Sequence, residues 1–241
     1  MDKADRAIRM IRSFYKKNSD PLVVEKYSRF FREGYRAYGV NPEIQSKEIQ
    51  KWIDQLEDEF TLKDYKKLFV GLFESGMNEE TSTVIRFLTN LERYYSKSLF
   101  TQIRAWIGRY FTNWAQTDSV CKYVLREFIL RDIVSYNDLI AWHTHKSKWV
   151  RRAVPVTTVE AFYKEQKITP VLKVGNLLIN DPVREVGQGV GWMLRDAWKV
   201  YPDRIEKLLK KHVRTGNRTA YQYACEKMDK EYRLQFRRPK K

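Results

Sequence analysis

Trp114 and Asp118 stand four residues apart in Asn113-Trp114-Ala115-Gln116-Thr117-Asp118-Ser119. On a helix that spacing puts an indole and a carboxylate on one face. Two later stretches echo it, Trp149-Val150-Arg151-Arg152-Ala153 and Gly191-Trp192-Met193-Leu194-Arg195-Asp196. Together they supply aromatic faces, a carboxylate and several guanidinium groups. A fixed carboxylate stabilises developing positive charge, an aromatic face attracts a cation, and a guanidinium fork grips phosphate bidentately. The set suits a positively charged nucleobase held on DNA. Each pair also has a plainer reading. Trp114 could be a packed indole, with Asp118 capping the next helix. Trp149 could be a core residue beside a solvated Arg151-Arg152 pair, and Trp192 with Arg195 could be core plus surface.

The balance of charge narrows the partners. Lys and Arg number 46 against 30 Asp and Glu, a net charge of +16. A polyanion-binding surface needs such an excess, because each neutralised phosphate releases condensed counterions. A basic surface that is merely solvated is the alternative. No stretch joins this charge to an apolar face in the manner of a membrane-surface helix. No apolar run approaches the roughly 20 residues that span a bilayer, so no membrane partner is expected. The opening Met1-Asp2-Lys3-Ala4-Asp5-Arg6 lacks a signal peptide's apolar core, and the expected setting is cytoplasmic, at the nucleoid.

Several familiar chemistries find no support. Cys121 and Cys225 are too far apart in sequence to mark a disulfide framework or a metal site. His143 and His145 lack cysteine or carboxylate company for zinc and read as a helix end. Gly187-Gln188-Gly189-Val190-Gly191 is glycine-rich, but it lies in a helical pattern with no strand before it, so a dinucleotide loop is not expected. Glycines there suit the close approach of another backbone. No serine or cysteine carries a nucleophile motif. Neither a metal nor another cofactor is expected.

The elements that position these residues are helices. Apolar residues recur at helical spacing almost throughout. The pattern predicts about thirteen helices, near 4–17, 21–37, 43–58, 62–75, 79–95, 97–112, 116–130, 136–144, 147–164, 169–179, 182–200, 202–213 and 217–233. Starts are marked by Asp20-Pro21, Asn41-Pro42, Thr169-Pro170 and Asp181-Pro182, and by Thr61 with Asp64. Short loops favour antiparallel neighbours. Paired helices of roughly 40 residues predict an all-α curved solenoid of HEAT- or armadillo-like helix pairs with a concave basic face, rather than a compact bundle. Residues 1–241 read as a single helical-repeat domain with a short, frayed basic tail from about 234 to 241. Pro155 is expected to interrupt or kink the helix that follows Arg152.

Taken in order, Trp-x3-Asp, Trp-x-x-Arg-Ala and Gly-Trp-x-Leu-Arg-(Asp/Glu) resemble the AlkD-like DNA alkylation repair family of HEAT-repeat glycosylases. Tyr27 in Glu25-Lys26-Tyr27-Ser28 and the turn Gly39-Val40-Asn41-Pro42-Glu43 extend the likeness, which covers roughly residues 20–205. Two departures are Ala115, where a second acidic residue is expected, and Pro155. The resemblance implies a glycosylase that removes N3- or N7-alkylated purines from duplex DNA without needing to flip the base, unlike most glycosylases. With water as nucleophile and no lysine marked for Schiff-base chemistry, a monofunctional enzyme is expected. The resemblance also implies a catalytic set of Trp114, Asp118, Arg152 and Trp192. Asp118 would steady the sugar's charge and orient water, the two indoles would hold the sugar, and Arg152 would clamp a phosphate. Arg151 is the rival for that clamp. Tyr27 and Arg195 would lie near the lesion or its backbone, and Lys146, Lys148 and Arg151 would widen the basic track. The expected partner is duplex DNA containing alkylated purines, bound by a monomer. A non-catalytic binder of bent or branched DNA on the same scaffold is the runner-up, and a HEAT-type protein scaffold the third reading.

Overall fold

The computed structural model describes residues 2–237, so the last four residues of the expected basic tail lie outside the described residues. Among the described residues there are helices and turns and no strand. The helices are α1 (Lys3–Lys17), α2 (Pro21–Ser28), α3 (Pro42–Leu56), α4 (Leu62–Phe73), α5 (Asn78–Thr89), α6 (Lys97–Tyr110), α7 (Trp114–Val120), α8 (Arg126–Leu130), α9 (Tyr136–Ile140), α10 (Lys148–Glu165), α11 (Ile168–Leu178), α12 (Arg184–Trp198), α13 (Pro202–His212) and α14 (Arg218–Ala224). The expected all-α class holds.

Local chemistry sets many of the starts. Asp20 and Asn41 accept the first free N–H groups of α2 and α3, with proline at the first helical position in each. Thr61 and Asp64 form the capping box of α4, and Ser135 with Asp138 forms that of α9. Thr169-Pro170 lies inside the first turn of α11 rather than before it. That turn tolerates proline because its N–H groups have no partner within the helix.

Two expected helices stop nine residues early: 217–233 ends at Ala224 and 21–37 at Ser28. After Ser28, residues 29–41 form turns and extended chain. Gly39, at φ 80°, marks the bend where this segment turns back against Asp20 and Val24. Pro155 lies within the expected helix 147–164, which α10 matches. α10 runs on through it to Glu165, so the proline does not end the helix, although it removes one i→i−4 bond. Room for its ring comes from Gly189 of α12, where a Cβ would sit 3.2 Å from the ring.

The chain forms two compact units. One comprises the segment up to Tyr95 with Tyr110–Ser119; the other comprises Ser96–Arg109 and the chain from Val120 onward. In the first, α4 packs on α1 and α5, and α3 also packs on α5. Its core includes Ile11, Tyr15, Trp52, Tyr65, Leu68 and Phe69. In the second, α10 packs on α12 and α12 on α14, while α11 and α13 pack beside them and on each other. This alternation is the layering of stacked helix pairs. Gly191 sits where α12 meets α14: a Cβ would lie 2.5 Å from the Ala220 carbonyl oxygen. The close backbone that this glycine admits is the protein's own.

Candidate active site

α7 carries Trp114 at its first position and Asp118 at its fifth, so both lie on one face as the spacing predicts. Helical structure continues past Asp118 through a π-helical turn, Cys121–Leu125, into α8. Asp118 is therefore inside a helical run and not at the start of a following helix, and its residue is half-buried. Trp114 is 38 % exposed. Its indole stacks on Phe31 at 5.6 Å, and Phe31 stacks on Tyr35 at 4.6 Å. The indole N–H donates to the Phe30 carbonyl at 3.3 Å. An indole held on one side by a ring and at its edge by a carbonyl has a defined plane.

Residues 29–40, which hold that stack, are themselves held by two buried carboxylates at the start of α5. Glu79 accepts from the backbone N–H groups of Tyr38, Gly39 and Val40 at 3.0, 2.7 and 3.4 Å. Glu80 accepts from the Tyr38 hydroxyl at 2.7 Å and pairs with Arg12 at 3.1 Å. Both carboxylates are buried, and this dense donation is what permits their burial. Asn78 donates its backbone N–H the other way, to Arg36 O at 2.8 Å. Its side-chain oxygen accepts from Gln116 of α7 at 3.4 Å. Tyr35 has its hydroxyl pushed up to about 12, first by burial and then by Glu79, and it stays neutral in the stack. Tyr27, at the end of α2, is exposed in the same unit.

Trp192 of α12 belongs to a different cluster, in the second unit. Its indole N–H points to Asp196 Oδ2 at 2.8 Å and Tyr163 Oη at 2.9 Å. Asp196 also accepts from Arg195, Lys199 and the Tyr163 hydroxyl. Burial pushes the Asp196 carboxyl up, but the donors Arg195, Lys199 and Tyr163 outweigh it and hold it well below the usual range. Burial and the neighbouring carboxylate push the Tyr163 hydroxyl up, so it remains a donor. Arg195 reaches further, to Glu226 at 2.8 Å. The Trp192 indole is held at its N–H by its two acceptors, Asp196 and Tyr163.

The basic run after Trp149 is not a solvated pair. Trp149 is buried, and Lys148 lies over its ring at 4.6 Å and 3.6 Å from Glu185. Arg151 pairs with Asp181 at 2.6 Å and donates to the carbonyls of His145 and Lys146. Arg152 is 5 % exposed and donates to the Glu185 carbonyl at 2.5 Å. Lys146 is exposed. His143 and His145 close the 3-10 turn Ala141–Thr144, each ring engaged with nearby backbone. Among the described residues no group of three or more His, Cys, Asp or Glu side chains could hold a metal ion. Nor is any helix there long and apolar enough to cross a membrane.

Sequence reasoning passed over Phe31, Tyr35, Glu79, Tyr163 and Asp196. Asp196 stood in the quoted motif without a role. A faint signal for the first two was Gly34 and Gly39, which punctuate a stretch otherwise patterned as helix.

An all-α, strongly basic chain, with one tryptophan stacked on an aromatic ring and another hydrogen-bonded to a tyrosine and a carboxylate, is the class that fold and residues define. The sequence model for DNA alkylation repair enzymes matches residues 11–228, and the chain belongs to that family. In fold it is similar to a protein of Enterococcus faecalis described as a predicted DNA alkylation repair enzyme. The two share a TM-score of 0.76 and 14 % identity, over 88 % of this chain and 98 % of that one. No curated protein matches the sequence.

Proposed function

We propose that this protein is a monofunctional DNA glycosylase that releases N3- or N7-alkylated purines from duplex DNA. One observation carries the reading: a half-buried carboxylate and an oriented, partly exposed indole share one face of α7 in a chain of the DNA alkylation repair family. Alkylation at N3 or N7 makes the purine formally cationic, so it departs as a neutral base and needs no general acid. Positive charge then develops on the deoxyribose. Asp118 stabilises that charge and orients water for attack. Trp114 offers its face to the sugar, with Trp192 as the second indole. Arg152, set by the Glu185 carbonyl, is assigned to a backbone phosphate. Tyr27 and Arg195 support the lesion's surroundings, and Lys146, Lys148 and Arg151 extend the cationic field. With water as nucleophile, no lysine is required for Schiff-base chemistry. One chain suffices, and the nucleoid is the place of action.

The test is release of free 7-methylguanine or 3-methyladenine from methylated duplex, with strand breaks scored in parallel. The proposal expects free base, accumulating abasic sites and intact strands. Duplex binding without any base release would replace it with a non-catalytic DNA binder.

A further inference from the structure

A groove of about 870 Å³ lies in the first unit, between α1, α4, residues 36–38 and residues 74–77. Five cations line it: Arg9, Arg12 and Lys16 from α1, Arg36 from the segment after α2, and Lys67 from α4. Only Asp5 and Glu74 oppose them there. Two of the cations are already matched. Arg12 is paired with Glu80 and donates to the Gly71 carbonyl at 2.6 Å, while Lys67 pairs with Asp2 and Asp5. Arg9, Lys16 and Arg36 are exposed, and no ion pair to any of them occurs among the described residues. The groove thus keeps a surplus of positive charge that the fold does not use.

Spacing gives the surplus a shape. Arg9, Arg12 and Lys16 fall at i, i+3 and i+7, on one face of α1. Arg9 and Lys16 are then about 10 Å apart along the axis at 1.5 Å per residue, close to three base-pair steps at about 3.4 Å each. Two exposed cations at that separation, Arg9 and Lys16, suit a regular polyanion. None of the residues assigned above to the lesion lines the groove.

We propose that this groove binds the phosphodiester backbone of duplex DNA without regard to sequence or damage; it rests on the reading of the protein as DNA-acting. Arg9, Lys16 and Arg36 make the contacts. Arg12 stays fixed on Glu80, which also holds the Tyr38 hydroxyl, so the groove wall and the segment bearing Phe31 and Tyr35 share one scaffold.

The experiment measures affinity for undamaged duplex from about 50 to 200 mM salt, a range in which phosphate contacts change it strongly. The triple variant Arg9→Gln, Lys16→Gln, Arg36→Gln should lower the slope of log affinity against log salt by about 2 to 3, at roughly 0.9 per phosphate contact. Arg9→Gln alone should lower it by about 1. Removal of the same charge from exposed Lys164, Lys207 and Lys230 should leave the slope unchanged. A triple variant with the wild-type slope, or a control that loses as much, overturns the groove, as does a wild-type protein with no affinity for the duplex. The duplex carries no lesion, so failure of base release and failure of this slope are separate results.

Discussion

Two carboxylates stabilise the fold in different ways at the level of single residues. Glu79 is spent on structure: it gathers three backbone N–H groups from residues 38–40. Its replacement by alanine strands those donors and should cost about 3 kcal/mol. Amide exchange at Tyr38, Gly39 and Val40 should accelerate well before global unfolding; unchanged protection there would remove Glu79 as the anchor. Asp196 is held in its charged form by its donors. A depressed carboxyl contributes stability that is full above its unfolded value, 3.8, and is lost as the pH falls through the lower folded value. Asp196→Asn should therefore be less stable than wild type at neutral pH, by about 2–3 kcal/mol. The gap should shrink steadily as the pH drops below 3.8. A gap that is constant down to acid pH would mean that the charge contributes nothing.

Among the elements, α12 is the most constrained. It packs against α10 on one side and α14 on another, with Gly189 opposite Pro155 and Gly191 against Ala220. Gly191→Ala introduces an atom 2.5 Å from a backbone oxygen and should cost about 2 kcal/mol. In a chain of this size the loss should appear as a drop of roughly 4–8 °C in melting temperature. A melting temperature equal to wild type would show that the helices part without penalty. The elements also mark where the sequence was legible. Caps at Asp20, Asn41 and Thr61 and the apolar periodicity announced most helices, because both are local signals. The end of α2 was not legible. Phe30, Phe31, Tyr35 and Tyr38 recur at helical spacing, yet Glu79 takes the N–H groups there and Trp114 takes the ring of Phe31, across 40 and 83 positions of sequence. Pro155 sits inside α10, as in the expected helix 147–164, and a glycine on another helix faces its ring. Of the candidate site, the Trp114–Asp118 face followed from spacing, while the partners that orient each indole depended on tertiary contacts.

For the whole molecule, a net charge of +16 and membership of the DNA alkylation repair family support the proposed action on duplex DNA. In that proposal charge brings the chain to the polymer, and the face of α7 acts on it. The most direct test compares wild type with Asp118→Asn under single turnover on duplex carrying 7-methylguanine, with affinity measured in parallel. Electrostatic stabilisation by one preorganised group is worth about 10²–10³ in rate. The variant should release base slower by that factor while binding duplex within about twofold of wild type. Release at the wild-type rate would contradict the assignment of Asp118 and, with it, the proposed chemistry.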